Sequence, residues 1–157
     1  MRKLMVSLLI AMSVISCAGN AKSDGDKPQS SDVADIRGKD WKLIEVWLDG
    51  KKTIYSRKDL EAQKISEFFN LKFDAENLSG VAAPNRYSAP YTVDGKKIKA
   101  MPARATLMAA IWQPEHLKEN DYFLYLQNIS EWAITGGKLE LTSKTEDGRP
   151  VKLVYAQ

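Results

Sequence analysis

Cysteine and histidine are nearly missing from this chain, which has one of each, Cys17 and His116. A single thiol cannot close an intramolecular disulfide, and a single imidazole cannot build the usual His/Cys metal cluster. No Ser-His-Asp or Cys-His arrangement can be argued around a lone histidine. Net charge is also scarce. The chain has 23 basic and 20 acidic residues, and setting aside residues 1–16 removes Arg2 and Lys3 and leaves 21 against 20. So balanced a chain lacks the basic footprint of a nucleic-acid binder. Long apolar runs are absent too. The longest, Leu4 to Ile15, is broken by Ser7 and Ser13 and falls short of the roughly 20 residues a spanning helix needs.

What is present begins with that run. Arg2 and Lys3 precede it, and Val14-Ile15-Ser16-Cys17 follows at its end. Basic start, short apolar stretch and small residue before a cysteine resemble a bacterial lipoprotein signal with its lipobox. The expectation is a signal peptide over 1–16, cleavage ahead of Cys17, and lipid on the Cys17 thiol. Two or more acyl chains would hold the protein stably on a membrane. Ala18, rather than Asp, after the cysteine favours the outer membrane over the inner one by the enterobacterial sorting rule. With its thiol lipidated, Cys17 has no other chemistry to offer.

Residues 17–38 are rich in Gly, Ser, Asp and Lys and poor in large apolar side chains. They read as a lipidated flexible tether, because such a segment buries too little surface to offset its ordering entropy. Residues 39–157, roughly 120, suit one domain with one core. Trp41 to Leu48 is β-prone and ends at the turn signal Asp49-Gly50. Leu60 to Phe69 is ambiguous, and Ser56-Arg57-Lys58-Asp59 ahead of it can open a short helix. Leu71 to Phe73, Leu78 to Ala83, Tyr87 to Val93 and Lys96 to Met101 read as strands, with turns at Asp74–Asn77 and Asp94-Gly95. Pro114 to Ile129 is the best helix, with Pro114 at its first position and Tyr122, Leu126 and Ile129 on one face. Two closing strands carry Leu139 and Leu141, then Val151, Leu153 and Tyr155. About seven short strands and one helix predict a mainly β (α+β) fold, a small antiparallel barrel or strongly curved sheet with one packed helix.

Two blocks then suggest a family. Gly80-Val-Ala-Ala-Pro-Asn85-Arg86-Tyr87-Ser-Ala89-Pro-Tyr91 resembles the signature of the META domain family, the HslJ-like proteins. Asn85, Ala89 and Tyr91 match it. Ala105-Thr106-Leu107-Met108-Ala109-Ala110 is similar to that family's Thr-x-Met-Ala-Cys block. The opening Trp41-x-Leu43, both blocks, the helix and the closing Leu139-x-Leu141 follow in the family's order over roughly residues 40–156. The resemblance implies an HslJ-like barrel. Where the family often carries two cysteines, this chain has Pro84 and Ala110. If those cysteines pair in relatives, this domain lacks a bond of roughly 2–4 kcal/mol. Packing around Trp41, Phe73, Met108 and Leu126 is then expected to carry more of the stability, provided the two blocks lie on adjacent strands.

Catalysis finds little support. His116 reads as an exposed residue at a helix start. Glu61, Glu67, Asp74 and Glu76 sit in segments that read as exposed, and carboxylate catalysis needs two acids converging in a pocket. No metal, cofactor or enzymatic activity is expected. Gly80, Asn85, Arg86, Tyr87, Ala89, Tyr91, Thr106 and Met108 are the candidate site residues, read first as structural. Alternatively, the Asn85–Tyr91 loop and a facing Thr106–Met108 strand border a binding groove. Trp41, Trp47, Trp112 and Trp132 read as core or rim, with Trp112 the one to watch for exposure.

Three functions stay open. The resemblance implies a non-enzymatic envelope lipoprotein in stress response or protein quality control. A barrel can also act as a carrier, holding a lipid or hydrophobic peptide between sheet and helix, as the likeness to secretion-system pilotins suggests by analogy. The third is a surface module that binds an envelope protein. A cavity above roughly 300 Å³ lined by Leu, Phe and Trp would favour the carrier, and a solid core with an exposed aromatic patch would favour a protein partner.

Overall fold

The computed structural model describes residues 32–109, 113, 114 and 116–157. The expected signal peptide, Cys17, Ala110, Trp112 and Glu115 lie outside these residues. Ten strands and two α-helices are described: β1 (Trp41–Leu48), β2 (Lys51–Ile54), α1 (Arg57–Ala62), β3 (Asn70–Phe73), β4 (Asn77–Val81), β5 (Arg86–Asp94), β6 (Lys97–Ala100), β7 (Arg104–Ala105), α2 (Glu119–Gln127), β8 (Glu131–Thr135), β9 (Lys138–Lys144) and β10 (Pro150–Ala156).

Eight strands close a barrel in the order β1-β3-β4-β5-β6-β8-β9-β10, and β10 pairs back onto β1. Every pairing of named strands is antiparallel. Closure is strongest where β1 meets β10, from Lys42 against Ala156 to Leu48 against Val151, with one irregularity between Leu43 and Glu45. The wall is thinnest between β6 and β8, whose register is Lys97 against Glu131. β2 extends β1 outside the ring, and β7 lies on β5.

Alternation sends one side chain inward and the next outward. On β5, Tyr87, Ala89 and Tyr91 are buried while Arg86, Ser88 and Pro90 are exposed. Leu139 and Leu141 of β9 point inward with Val151, Leu153 and Tyr155 of β10. Trp41, Trp132, Tyr122, Tyr155, Phe69 and Phe73 are the largest fully buried side chains and fill the interior.

Both mouths are capped. At one, α2 lays Tyr122, Tyr125 and Leu126 inward, and Ile129 continues the same face. At the other, a 3-10 turn, Val33–Asp35, leads to Ile36, which is fully buried and accepts the Trp41 indole N–H at 2.9 Å. Arg37 bridges to Phe73, and the Gly38 amide donates to the Phe73 carbonyl at 3.0 Å. Residues 33–38 therefore belong to the domain and not to the tether. Ile36, with Val33 packed partly against the core, makes the difference, and composition diluted both.

Several elements depart from expectation. The helix expected over Pro114–Ile129 spans only Glu119–Gln127, and Pro114 lies outside it. Its first amide, that of Glu119, is capped by the Gln113 side chain at 3.1 Å, so the start is fixed by a glutamine six residues back and not by proline. The strand expected to reach Ala83 ends at Val81, where Ala82 and Ala83 turn into a cis Ala83-Pro84 bond. β8 and its two-residue Gly136-Gly137 hairpin were missed. Both glycines have positive φ, which suits the tight primed turns of hairpins. The segment after Phe69 resolves into β3, while Ser56 caps α1 as its sequence suggests.

Candidate functional site

The first sequence block folds as β4, a loop and β5, and the second runs beside it as β7 and the residues that follow. Tyr87 stands opposite Ala105 and Ser88 opposite Arg104, so the two blocks are neighbours. The regular pairing is short. The strand expected over Thr106–Met108 is an irregular, exposed strap held by side chains.

Asn85 is the hub. Its Oδ1 accepts from the Thr106 hydroxyl and the Met108 amide, both at 2.7 Å. Its Nδ2 donates to the Met108 carbonyl at 3.1 Å and to Glu119 Oε2 at 2.7 Å. Two acceptor sites and two donor hydrogens are all used, the full capacity of an amide side chain. Thr106 Oγ1 also accepts from the Arg86 amide at 3.2 Å. The Asn and Thr-x-Met positions thus recognise each other.

Glu119 completes the cluster from the first turn of α2. Its Oε1 accepts the Ala83 and Asn85 amides at 3.0 and 2.8 Å. The residue is buried, yet it is held by three hydrogen bonds and sits where a helix N-terminus favours negative charge. Sequence reasoning missed it. An acid in a helix's first turn carries no local sign of burial, and its partners lie 34 and 36 residues away.

Gly80 is required by close approach. A Cβ there would lie 2.1 Å from the Asn70 carbonyl oxygen. Asn70 also accepts the Val81 amide on its side chain at 2.6 Å. The same Asn70 carbonyl accepts the Tyr87 hydroxyl at 2.8 Å. Tyr87 lies 3.2 Å from the Tyr122 hydroxyl, which in turn accepts from Tyr155 at 3.2 Å. This chain of three phenols crosses the core between β5, α2 and β10. Burial pushes Tyr122 up to about 12, and pushes Tyr87 and Tyr155 well above their ordinary value.

Ala89 is buried opposite Leu78. Tyr91 works at the other mouth, where it accepts from Arg37 Nε at 2.9 Å, donates to the Asp74 carbonyl at 2.7 Å, and packs edge-on against Phe73. Arg86 points outward. Met108, expected in the core, is 61% exposed, because Asn85 grips its backbone and leaves the side chain outside. Leu107 between the gripped residues is fully exposed. Trp41, Phe73 and Leu126 are buried as expected.

His116 is exposed, beside a pocket of about 200 Å³ that Lys51 and Tyr125 also line. Glu61, Glu67, Asp74 and Glu76 are exposed. Among the described residues no three His, Cys, Asp or Glu side chains are grouped as metal ligands. Trp132 is core, and Trp47 is half-buried under the ammonium groups of Lys52 and Lys152 at 5.2 and 5.0 Å from its ring.

A family model described as the META domain matches residues 34–157. The chain belongs to the META domain family. The match begins two residues before Ile36, in keeping with the capped mouth. An NMR structure of a protein from Burkholderia xenovorans has the same fold, at a TM-score of 0.59 and 16% identity over 91% of this chain and 99% of that one. A crystal structure of a DUF4847 family protein from Bacteroides vulgatus matches at a TM-score of 0.50 and 13% identity, over 77% and 93% respectively. At such identities the likeness extends to the fold alone. No curated protein matches the chain. In this META domain, then, the block residues with internal partners are spent on holding β4, β5, the strap and α2 together.

Proposed function

We propose that this protein is a lipid-anchored lipoprotein of the bacterial cell envelope, on the outer membrane, whose META domain works without catalysis in envelope stress or protein quality control. The observation that carries the anchor is the sequence Val14-Ile15-Ser16-Cys17 at the end of a short apolar run, with no other cysteine in the chain. Among the described residues no helix is long and apolar enough to cross a membrane, so an anchor from outside them is consistent with the domain.

The non-catalytic reading is supported by how the polar block residues are used. Asn85, Thr106 and Glu119 satisfy one another and nearby backbone groups. Action at the surface is supported over storage inside the barrel, because large aromatic side chains fill the interior.

The test is metabolic labelling with an alkyne analogue of palmitate, followed by membrane fractionation. The native chain should be labelled and sediment with membranes, and Cys17→Ser should lose both properties. An unlabelled native chain overturns the anchor. Loss of the gene should lower survival under heat or envelope stress, and the native gene should restore it. Unchanged survival overturns the stress role.

A further inference from the structure

Charge and exposed apolar surface are unevenly placed on this barrel. Residues 77–114 carry Arg86, Lys96, Lys97, Lys99 and Arg104 against the single acid Asp94, so the rest of the chain is acidic on balance. Among the described residues the exposed large apolar side chains are Ile54, Met101, Leu107 and Met108, and three of these four lie in the run from Met101 to Met108. The two asymmetries meet on one wall.

Strand register places them. Lys97 and Lys99 of β6 point outward, while Ile98 and Ala100 are buried. Met101 continues the outward set, and its amide donates to the Pro90 carbonyl at 2.9 Å. On β7, Arg104 stands opposite Ser88, which shares the outer face of β5 with Arg86, Pro90 and Thr92. The strap then leaves β7 beside Arg86, whose carbonyl accepts the Thr106 amide at 3.0 Å, and the exposed Leu107 and Met108 follow. From Pro90 to Arg86 the strand advances only about 13 Å, so Met101, Arg104, Arg86 and the strap are neighbours on one surface. The cross-strand partners of Arg86, Lys99 and Arg104 are the uncharged Val81, Thr92 and Ser88. Acids border the face without entering it. Asp94 and Glu131 lie opposite Lys97 and offset it, and Glu76 lies in the turn before β4, where its carbonyl accepts the Tyr91 amide at 3.0 Å.

We propose that this face docks on an anionic phospholipid surface, with Arg86, Lys99 and Arg104 among the phosphates and Met101, Leu107 and Met108 at the boundary with the acyl chains. Basic and apolar side chains interleaved on one surface suit an anionic interface, where charge attracts and apolar burial holds. A fluid layer accepts protruding side chains without a fixed pocket for each, and methionine adapts readily to it. That favours lipid over an acidic protein. The Asn85 bonds to the Met108 amide and carbonyl already hold the strap in place, so docking requires no opening of the barrel. The inference does not rest on lipidation of Cys17. Residues 17–31 reach at most about 50 Å when extended, which is enough for this face to lie on the bilayer that would hold the anchor.

The test uses the full chain with Cys17→Ser, sedimented with vesicles of phosphatidylcholine alone or of phosphatidylcholine and phosphatidylglycerol in equal parts. Residues 1–31 are the same in every sample, so differences between variants belong to the domain. Binding should be stronger to the mixed vesicles and should fall as salt is raised. Arg86→Glu with Arg104→Glu should weaken it about tenfold or more. Leu107→Ser with Met108→Ser should weaken it separately. Neither pair should change the melting temperature, because all four side chains are exposed. In bicelles doped with a nitroxide lipid, the methyl signals of Met101, Leu107 and Met108 should broaden, and those of the buried Leu139 and Leu153 should not. Equal binding to both vesicle types, affinity unmoved by either double variant, or broadening confined to other methyl groups overturns the proposal. So does binding of polyglutamate without binding to the mixed vesicles, which would assign the face to an acidic protein. Failure here leaves palmitate labelling of Cys17 untouched, and the two readings fall separately.

Discussion

At the scale of the residue, the informative positions owe their identity to packing or to saturated hydrogen bonding. Asn85 is the clearest, since Asp would lose both donors and place a second carboxylate 2.7 Å from Glu119. Asn85→Ala is expected to destabilise the domain by roughly 2–3 kcal/mol, chiefly by leaving the buried Glu119 carboxylate short of a donor. Equilibrium denaturation in urea checks this, and an unshifted midpoint would show the hub to be ornamental. Gly80 makes a different demand. With the Asn70 carbonyl oxygen 2.1 Å from any Cβ, Gly80→Ala must push β3 and β4 apart. The expected loss is roughly 1–3 kcal/mol or more, read as a lower melting temperature. Both residues were legible as motif members in the sequence. Their reasons were not, because the Asn70 carbonyl meets Gly80 only when β3 pairs with β4, and Glu119 reaches Asn85 from 34 residues away.

Elements join through side chains more than through strand ladders at the α2 mouth. The cis Ala83-Pro84 loop exposes two amides to one carboxylate oxygen, and α2 supplies it. Glu119→Gln keeps the shape but turns one oxygen into a donor. If that donor replaces Oε1 it faces two backbone N–H groups, and if it replaces Oε2 it faces Asn85 Nδ2. Flipping Asn85 would then break its match to Met108. The variant should lose roughly 1–3 kcal/mol, with faster amide exchange at Ala83 and Asn85 and little change on β9 and β10. Uniform exchange rates across the domain would count against a local clasp. A second clasp is Arg57, whose guanidinium donates to the carbonyls of Leu43 at 3.3 Å, Phe68 at 3.0 Å and Ser66. It holds the irregular run before β3 against β1, which explains why Leu60 to Phe69 had no periodicity to read. β8 was legible in principle, since Gly136-Gly137 separates two alternating runs, Trp132-x-Ile134 and Leu139-x-Leu141.

For the whole molecule, the phenol chain links stability to pH. Tyr122 and Tyr55 are pushed to about 12 by burial, with Tyr125 adding to the effect on Tyr55. Burial also pushes Tyr87 and Tyr155 well above their ordinary value. An unfolded tyrosine ionises near 10. Above that value the unfolded chain holds fewer protons than the native one, so stability falls as pH rises. The contribution is complete below about 10 and is lost as pH rises from about 10 through about 12. Tyrosinate absorbance should therefore rise together with loss of native circular dichroism, and for Tyr155→Phe the dependence on pH should be shallower. Buried tyrosines ionising in the native fold would defeat this expectation. The closing pair β1–β10 joins the two ends of the domain, so this response is expected to be a single cooperative transition.

Alternation and turn chemistry settled much of this protein locally. A strand such as β5 must bury Tyr87, Ala89 and Tyr91 together, and Asp49-Gly50 and Asp94-Gly95 must turn, whatever surrounds them. The balanced charge and the single cysteine are properties of composition alone. The tertiary structure decided what depends on distance across the chain. It drew Ile36 into the core, shortened α2 to the turn that Gln113 caps, turned Met108 outward, and buried Glu119. Met108 and Glu119 depend on Asn85, 23 and 34 residues away, and such a hydrogen bond exists only once the barrel has closed and brought its partners within reach.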